Sequence, residues 1–396
     1  MSLTGTPRSS QLHIGIFGKR NSGKSSLINA LTGQQISVVS DIAGTTTDPV
    51  YKTMEIYGIG PCVFIDTAGF DDEGELGALR VNKTKQATEK TDVALVLCCD
   101  IDISYEMDWV QVFKKNNTPT IVLINKADAL DNTDEIKRTI FESCGLMPIV
   151  VSAKEKTGMK EIREEIIRSI PEDYDHISIT GDLVSEGDIV LLVMPQDIQA
   201  PKGRLILPQV QTLRELLDKK CIVLSATTDK LDKALASLST PPKLIITDSQ
   251  VFKTVYEKKP SESKLTSFSV LFANYKGDLN YYIEGAAAID ALTSQSRVLI
   301  AEACTHAPLS EDIGREKLPR MLRKRAGETL TVDIVSGIDF PEDLSSYDLI
   351  IQCGACMFNR KYVMSRIEKA KVQEIPMTNY GVAIAHLSGI LDQIDF

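Results

Sequence analysis

Gly18-Lys19-Arg20-Asn21-Ser22-Gly23-Lys24-Ser25 decides how the chain reads. It is a G-x-x-x-x-G-K-S loop. Its glycines let the backbone curl so that successive N–H groups face a phosphate, and it opens a helix whose dipole favours an anion. Lys24 is expected to reach the β- and γ-phosphates and Ser25 to ligate Mg²⁺, with Gly18, Asn21, Ser22, Gly23 and Ser26 lining the phosphate cradle. Such a loop has false positives. Here it follows an apolar strand-like run, residues 13–17, and precedes a helix-patterned stretch, residues 25–31, which is the context the chemistry requires.

The same alternation continues downstream. Short β-branched runs at residues 62–65, 93–97, 120–124 and 149–151 are separated by polar, helix-patterned stretches, the mark of a mostly parallel sheet with crossover helices. Ligands of such sheets bind beyond the carboxyl ends of the strands, where further motifs stand. Asp66-Thr-Ala-Gly69 supplies a carboxylate for a water on Mg²⁺ and an N–H for the γ-phosphate. Asn125-Lys126-Ala-Asp128 supplies a carboxylate that can accept from N1–H and the 2-amino group of guanine, donors that adenine lacks. Ser152-Ala153-Lys154 completes the base pocket. Four motifs in order, each after a strand, make the first ~170 residues a GTP- and GDP-binding P-loop domain.

With 396 residues the chain exceeds one ordinary core. The expected architecture is α/β, three consecutive α/β domains with mostly parallel sheets: residues 1–172 for nucleotide, 178–262 for dimerisation and 266–396 for a metal centre. A formal net charge of −10 argues against nucleic acid as main partner, because phosphate neutralisation needs clustered Lys and Arg. No apolar run reaches the ~20 residues that span a bilayer, and the polar first eleven residues lack a signal-peptide core. The expectation is a cytoplasmic protein with no membrane partner, whose eight cysteines stay reduced.

Beyond residue 187 the pattern restarts. A strand is expected at 187–194, leading into a loop with Asp197, then helix 210–220, strand 221–225, helix 231–238 and strand 243–247. In the last module strands are expected at 266–274, 298–303, 330–335 and 349–351, with helices at 278–293, 315–326 and 362–371. Cys304-Thr-His306 follows one of these strands and Cys353-Gly-Ala-Cys356 another. Ends of neighbouring parallel strands lie close, so three thiolates can converge there, with His306 as a fourth ligand if the metal is zinc. A Cys-x-x-Cys alone is shared by redox pairs, zinc sites and iron–sulfur sites.

Two resemblances rest on these residues. Gly44-Thr45-Thr46-Thr47-Asp48 resembles switch I of the tRNA-modification and Era-like GTPases, which implies that Thr46 binds Mg²⁺ when GTP is present. Asn21 matches the phosphate-loop Asn that holds K⁺ in potassium-activated members; K⁺ would neutralise charge developing between the β- and γ-phosphates. Lys24, Asn21 and Thr46 are then the catalytic set. Phe70 stands where Ras-type proteins carry a water-positioning Gln, so slow, K⁺-stimulated turnover is expected, with residues 71–75 as a solvated switch II.

The whole chain, through the GTPase motifs, Ala200-Pro-Lys-Gly-Arg-Leu205 and Cys-x-His with Cys-x-x-Cys, resembles the GTPase family of [FeFe]-hydrogenase maturation. The resemblance implies a homodimeric scaffold whose Cys304, Cys353 and Cys356 hold a [4Fe–4S] cluster. It also implies a diiron precursor received from radical-SAM maturation enzymes and passed to apo-[FeFe]-hydrogenase. Gln352 stands where family members often carry His, which leaves His306, Asp197 or an external group as fourth ligand. Two other readings stay open: an RNA- or ribosome-associated Era-like GTPase, and a regulatory GTPase with structural zinc. The first would need a basic RNA-binding appendage such as a KH domain, and none is visible.

Overall fold

The computed structural model describes residues 7–32, 49–56, 58–67, 69, 83–170, 174, 178–195, 205–303 and 313–396. Thr46 with the rest of switch I, Phe70, residues 71–75, Asp197, Cys304 and His306 lie outside the described residues. The chain divides into two compact units, residues 1–175 and 176–396.

In the first unit β1 (Leu12–Gly18), β2 (Val50–Ile56), β3 (Gly60–Asp66), β4 (Val93–Cys98), β5 (Thr120–Ile124) and β6 (Ile149–Val150) form one sheet in the order β2-β3-β1-β4-β5-β6. All neighbours are parallel except β2 and β3. Side chains alternate across a strand, so Leu12, Ile14 and Ile16 of β1 enter one core and Phe17 the other. The first core is closed by the helices Lys24–Thr32 and Met159–Ser169 through Leu27, Ile28, Ile162 and Ile166. Helices Ser104–Lys115 and Thr133–Cys144 close the second through Val110, Phe113, Ile136 and Ile140. A sheet covered on both faces reads as continuous apolar runs, which is why its central strands were legible. Strand β2 was not anticipated: it is an edge strand, mostly solvated, whose VYKTMEI carries little burial signal.

In the second unit β7 (Ile189–Val193), β8 (Ile222–Ala226), β9 (Leu244–Thr247) and β10 (Lys264–Ser267) form a parallel sheet in the order β10-β9-β7-β8. Strands β11 (Arg297–Glu302), β12 (Thr331–Ser336), β13 (Leu349–Gln352) and β14 (Met377–Asn379) form another, β12-β11-β13-β14. Numbered within its own module each sheet runs 2-1-3-4, so the two modules repeat one topology. The repeat extends to detail: Ser267 ends β10 and caps the helix Phe268–Lys276, and Asn379 ends β14 and caps the helix Tyr380–Leu387.

One expectation needs correction. The apolar run at 266–274 is not a strand of the last module. Strand β10 pairs with β9 of the middle sheet, past the expected boundary at 262, and residues 268–276 are helical. Phe268, Val270, Leu271, Phe272 and Ala273 are all buried, so the run shows no 3.6-residue period, and Ser267 Oγ accepting from Val270 N starts the helix. The modules also share part of their cores, while Val190, Leu192, Leu244 and Ile246 form a further cluster within the middle module. Leu191, Ile245 and Leu265 share one buried cluster with Leu299, Ile350 and Val382.

Candidate functional site

The phosphate loop joins β1 to the helix Lys24–Thr32. Gly23 has φ +91°, and a Cβ there would lie 2.4 Å from Asn125 Nδ2, so only glycine fits. Asn21 takes φ 58°, which Asn tolerates better than most, and its side chain is exposed. Buried Lys24 donates from Nζ to the carbonyls of Gly18 at 2.9 Å and Lys19 at 2.8 Å. The Ser22 hydroxyl is buried without a hydrogen-bond partner among the described residues, and Ser26 is half-buried on the first helical turn.

Parallel pairing sets Ile16 against Asp66 and brings that carboxylate to the loop. Ser25 Oγ donates to Asp66 Oδ2 at 2.7 Å. Burial raises the Asp66 pKa, while the Ser25 bond and the charges of Lys24 and Lys52 hold it back. Its Oδ1 is buried with no partner among the described residues. An orphaned carboxylate oxygen beside a serine hydroxyl suits a hydrated Mg²⁺, whose water would bond to Oδ1 while Ser25 bonds the metal. The backbone of Gly69 is also buried, and Thr67 Oγ1 donates to Ile16 O at 2.6 Å, anchoring the start of that segment.

Asn125 ties three motifs together. Its Nδ2 donates to Ser22 O at 2.8 Å, and its Oδ1 accepts from Ala153 N at 3.1 Å. The chain then turns out through Lys126, at φ 63°, to exposed Asp128. Asp128 accepts from Ser152 Oγ at 2.6 Å and lies 3.6 Å from Lys154 Nζ; the serine bond, then the lysine charge, lower its pKa. It therefore stays ionised, as an acceptor for guanine must.

One part of this region escaped the sequence reading. Lys19 Nζ, inside the loop, pairs with Asp100 at 3.2 Å and approaches Asp102 and Glu106 at 3.7 and 3.8 Å. Burial pushes Glu106 up to about 7 from 4.5. A carboxyl raised on folding gives least stability when ionised. Its unfavourable contribution is absent below about pH 4.5 and complete above about pH 7. Glu106→Gln is thus expected to raise unfolding stability by about 1–3 kcal/mol at pH 8 and hardly at all at pH 5. Fluorescence of the chain's one tryptophan reads this unit alone, since Trp109 packs on Phe17. Equal gains at both pH values would remove the assignment.

In the second unit the two strands flanking the order reversal of the last sheet are β11 and β13. Such switch points open a crevice at the strands' carboxyl ends. Cys353 directly follows β13, and Cys304 comes two residues after β11. Cys353 Sγ accepts from Ala303 N at 3.0 Å and Ala355 N at 3.4 Å, the latter from a left-handed turn with Ala355 at φ 48°. Burial pushes the Cys353 thiol up to about 11, against those two N–H bonds and the nearby Arg366 charge. Cys356 is half-buried. Among the described residues no group of three His, Cys, Asp or Glu could hold a metal, so the converging set of the sequence reading rests on residues outside them.

Two cations beside these cysteines were also missed. Lys276 is buried and donates to Phe358 O at 2.6 Å; burial lowers it to about 8. Arg366 is 2% exposed and stacked among Phe340, Phe358 and Tyr362. Tyr362 and Arg366, four apart on one helix, were the available signal. Gln352 is buried and turned to Tyr282 OH at 3.5 Å.

A Gly-rich loop, a paired Ser25 and Asp66 and an ionised Asp128, all at the carboxyl edge of one sheet, define the P-loop GTPase class. Comparison with known families agrees: residues 13–126 match the 50S ribosome-binding GTPase family. Residues 179–277 match the hydrogen maturase F dimerization domain and residues 280–394 its tetramerization domain, together more than half of the chain. The chain belongs to the hydrogen maturase F family.

The chain is similar to the tRNA modification GTPase MnmE of Heliobacterium modesticaldum, 39% identical over 39% of this chain and 33% of the relative. It is also similar to the GTPase Der of Wolinella succinogenes, 37% identical over 40% of this chain and 36% of the relative. The match thus spans about a third of the length of these relatives. Among solved structures, Era of Aquifex aeolicus bound to GDP·AlF4⁻ is 22% identical with a TM-score of 0.37, over 54% of this chain and 92% of that one. No helix among the described residues is long and apolar enough to cross a membrane.

Proposed function

We propose that this protein is a GTP-hydrolysing scaffold of [FeFe]-hydrogenase maturation. On this reading it holds a [4Fe–4S] cluster and a diiron precursor destined for apo-hydrogenase, and it works in the cytoplasm as a homodimer. The observation that carries the reading is the pairing, on one chain of this family, of an assembled guanine-nucleotide site with a Cys353 thiol already bonded by two backbone N–H groups at a switch point. Preformed N–H···S bonds favour thiolate over thiol, the form that ligates iron.

At the nucleotide site Lys24 exchanges the Gly18 and Lys19 carbonyls for phosphate oxygens. Ser25 and Thr46 would hold Mg²⁺ and Asp66 a water on it, and Lys126 would cover the base that Asp128 would read. At the cysteine centre Cys304, Cys353 and Cys356 would hold the cluster, with His306 or Asp197 as candidates for the fourth position. The cluster supplies an iron site to which the precursor attaches; the chain supplies ligands, N–H bonds and charge. Radical-SAM maturation enzymes are the donors of the precursor and apo-hydrogenase is its acceptor. For the dimer, β8 is an edge strand among the described residues, with Ile222 at 59% exposure.

Anaerobic reconstitution with iron and sulfide tests the reading. About four irons per chain with a cubane EPR signal after reduction are expected. Stoichiometric zinc without such a signal would leave a GTPase with a structural metal. Replacing K⁺ by Na⁺ is expected to slow GTP turnover about 10- to 100-fold, a difference that Asn21→Ala abolishes. Equal rates in both salts for the wild type would remove K⁺ from the mechanism.

A further inference from the structure

Arg366 is a buried charge, 2% exposed, with donors left unmatched among the described residues. Its Nη2 donates to Gly337 O at 2.6 Å and to Tyr362 OH at 3.3 Å. Its Nε and Nη1 have no hydrogen-bond partner, and no carboxylate pairs with it among the described residues. Phe340, Phe358 and Tyr362 surround it with ring centroids 4.7–4.8 Å from the guanidinium carbon. Aromatic faces offset part of the cost of burying a guanidinium, and less than the full desolvation cost of the ion. They do nothing for N–H groups left without acceptors.

What lies next to this cation is the cysteine pair. Phe358 follows Cys356 by two residues: its ring packs on Arg366 and its carbonyl accepts from Lys276 Nζ. Two buried cations therefore meet at Phe358, two residues past Cys356.

We propose that Arg366 and Lys276 are the electrostatic seat of an anionic, thiolate-ligated iron–sulfur group: positioning residues that set its charge balance and reduction potential. The inference rests on the cluster reading above. A [4Fe–4S]²⁺ core with three thiolates carries a net charge of about −1, and one-electron reduction adds a second negative charge without forming or breaking a bond. Fixed positive charge in a low-dielectric site stabilises the reduced form more than the oxidised one, so it raises the midpoint potential.

The test is an EPR-monitored redox titration of the reconstituted full chain, beside its iron content and circular dichroism. The variants are Arg366→Met, Arg366→Lys, Lys276→Met and Lys276→Arg. The external reductant supplies the electron. Arg366→Met and Lys276→Met are expected to move the midpoint negative with iron content retained, and the two charge-keeping variants to stay close to wild type. A purely structural role would move the fold and leave the potential of whatever cluster forms. If Arg366→Met does not fold, Lys276→Met decides. A wild-type cluster whose potential is unmoved by removal of charge overturns this inference alone. A wild type that takes up no iron and sulfide overturns the cluster reading, and the inference with it.

Discussion

Asp128→Asn is expected to weaken GTP binding by roughly 10²- to 10⁴-fold and to make xanthosine triphosphate the preferred ligand. The ionised carboxylate, held in that state by Ser152 Oγ and Lys154, would accept two charge-assisted bonds from guanine. An amide offers one acceptor and turns two donors toward the 2-amino group. Xanthine carries a carbonyl there, so the mismatch becomes a match. Titration with fluorescent GTP and XTP analogues measures both arms. The change leaves the Asn125 tether to Ser22 and Ala153 untouched, so the phosphate loop keeps its shape. Unchanged GTP affinity would mean that another group reads the base.

Cys353→Ala and Cys356→Ala should each reduce reconstituted iron from about four per chain to near zero, while GTP binding stays at the wild-type level. The loss is large because a cubane left with two thiolates has two unprotected irons. For Cys353 there is a second cost: the Ala303 and Ala355 N–H groups lose their sulfur acceptor. Iron content, EPR after reduction and nucleotide affinity on the same samples separate a lost ligand from a lost fold. Full iron retention in both variants would place the metal elsewhere.

The GTPase half was legible because its chemistry is local. Each motif follows a strand directly, and the glycines, Lys24, Asp66, Asn125 and Asp128 occupy fixed offsets from strand ends that parallel pairing aligns on one edge. What pairing alone could not reveal was Lys19 reaching Asp100 and Glu106 across about eighty residues of sequence. Nor could it reveal β2, whose edge position strips it of the apolar signal that marks its neighbours.

The second unit was legible as repeated α/β pattern and not as one body. Within the run at 266–274 Phe268, Val270, Leu271, Phe272 and Ala273 are all buried, so periodicity could not distinguish strand from helix. Only the assembled sheets show that β11 and β13 flank the reversal point, which turns Cys353 from one cysteine among eight into a crevice residue.

By itself the sequence determined the nucleotide chemistry, the class of fold and the candidate sulfur ligands, because those depend on residue type at short spacing. Tertiary structure decided that the two modules share one buried cluster across their boundary. It also decided that Lys276, from a helix some eighty residues earlier, and Arg366, one helix later, both pack against Phe358, two residues past Cys356. Burial and charge proximity are properties of packed elements far apart in the chain, and no local pattern encodes them.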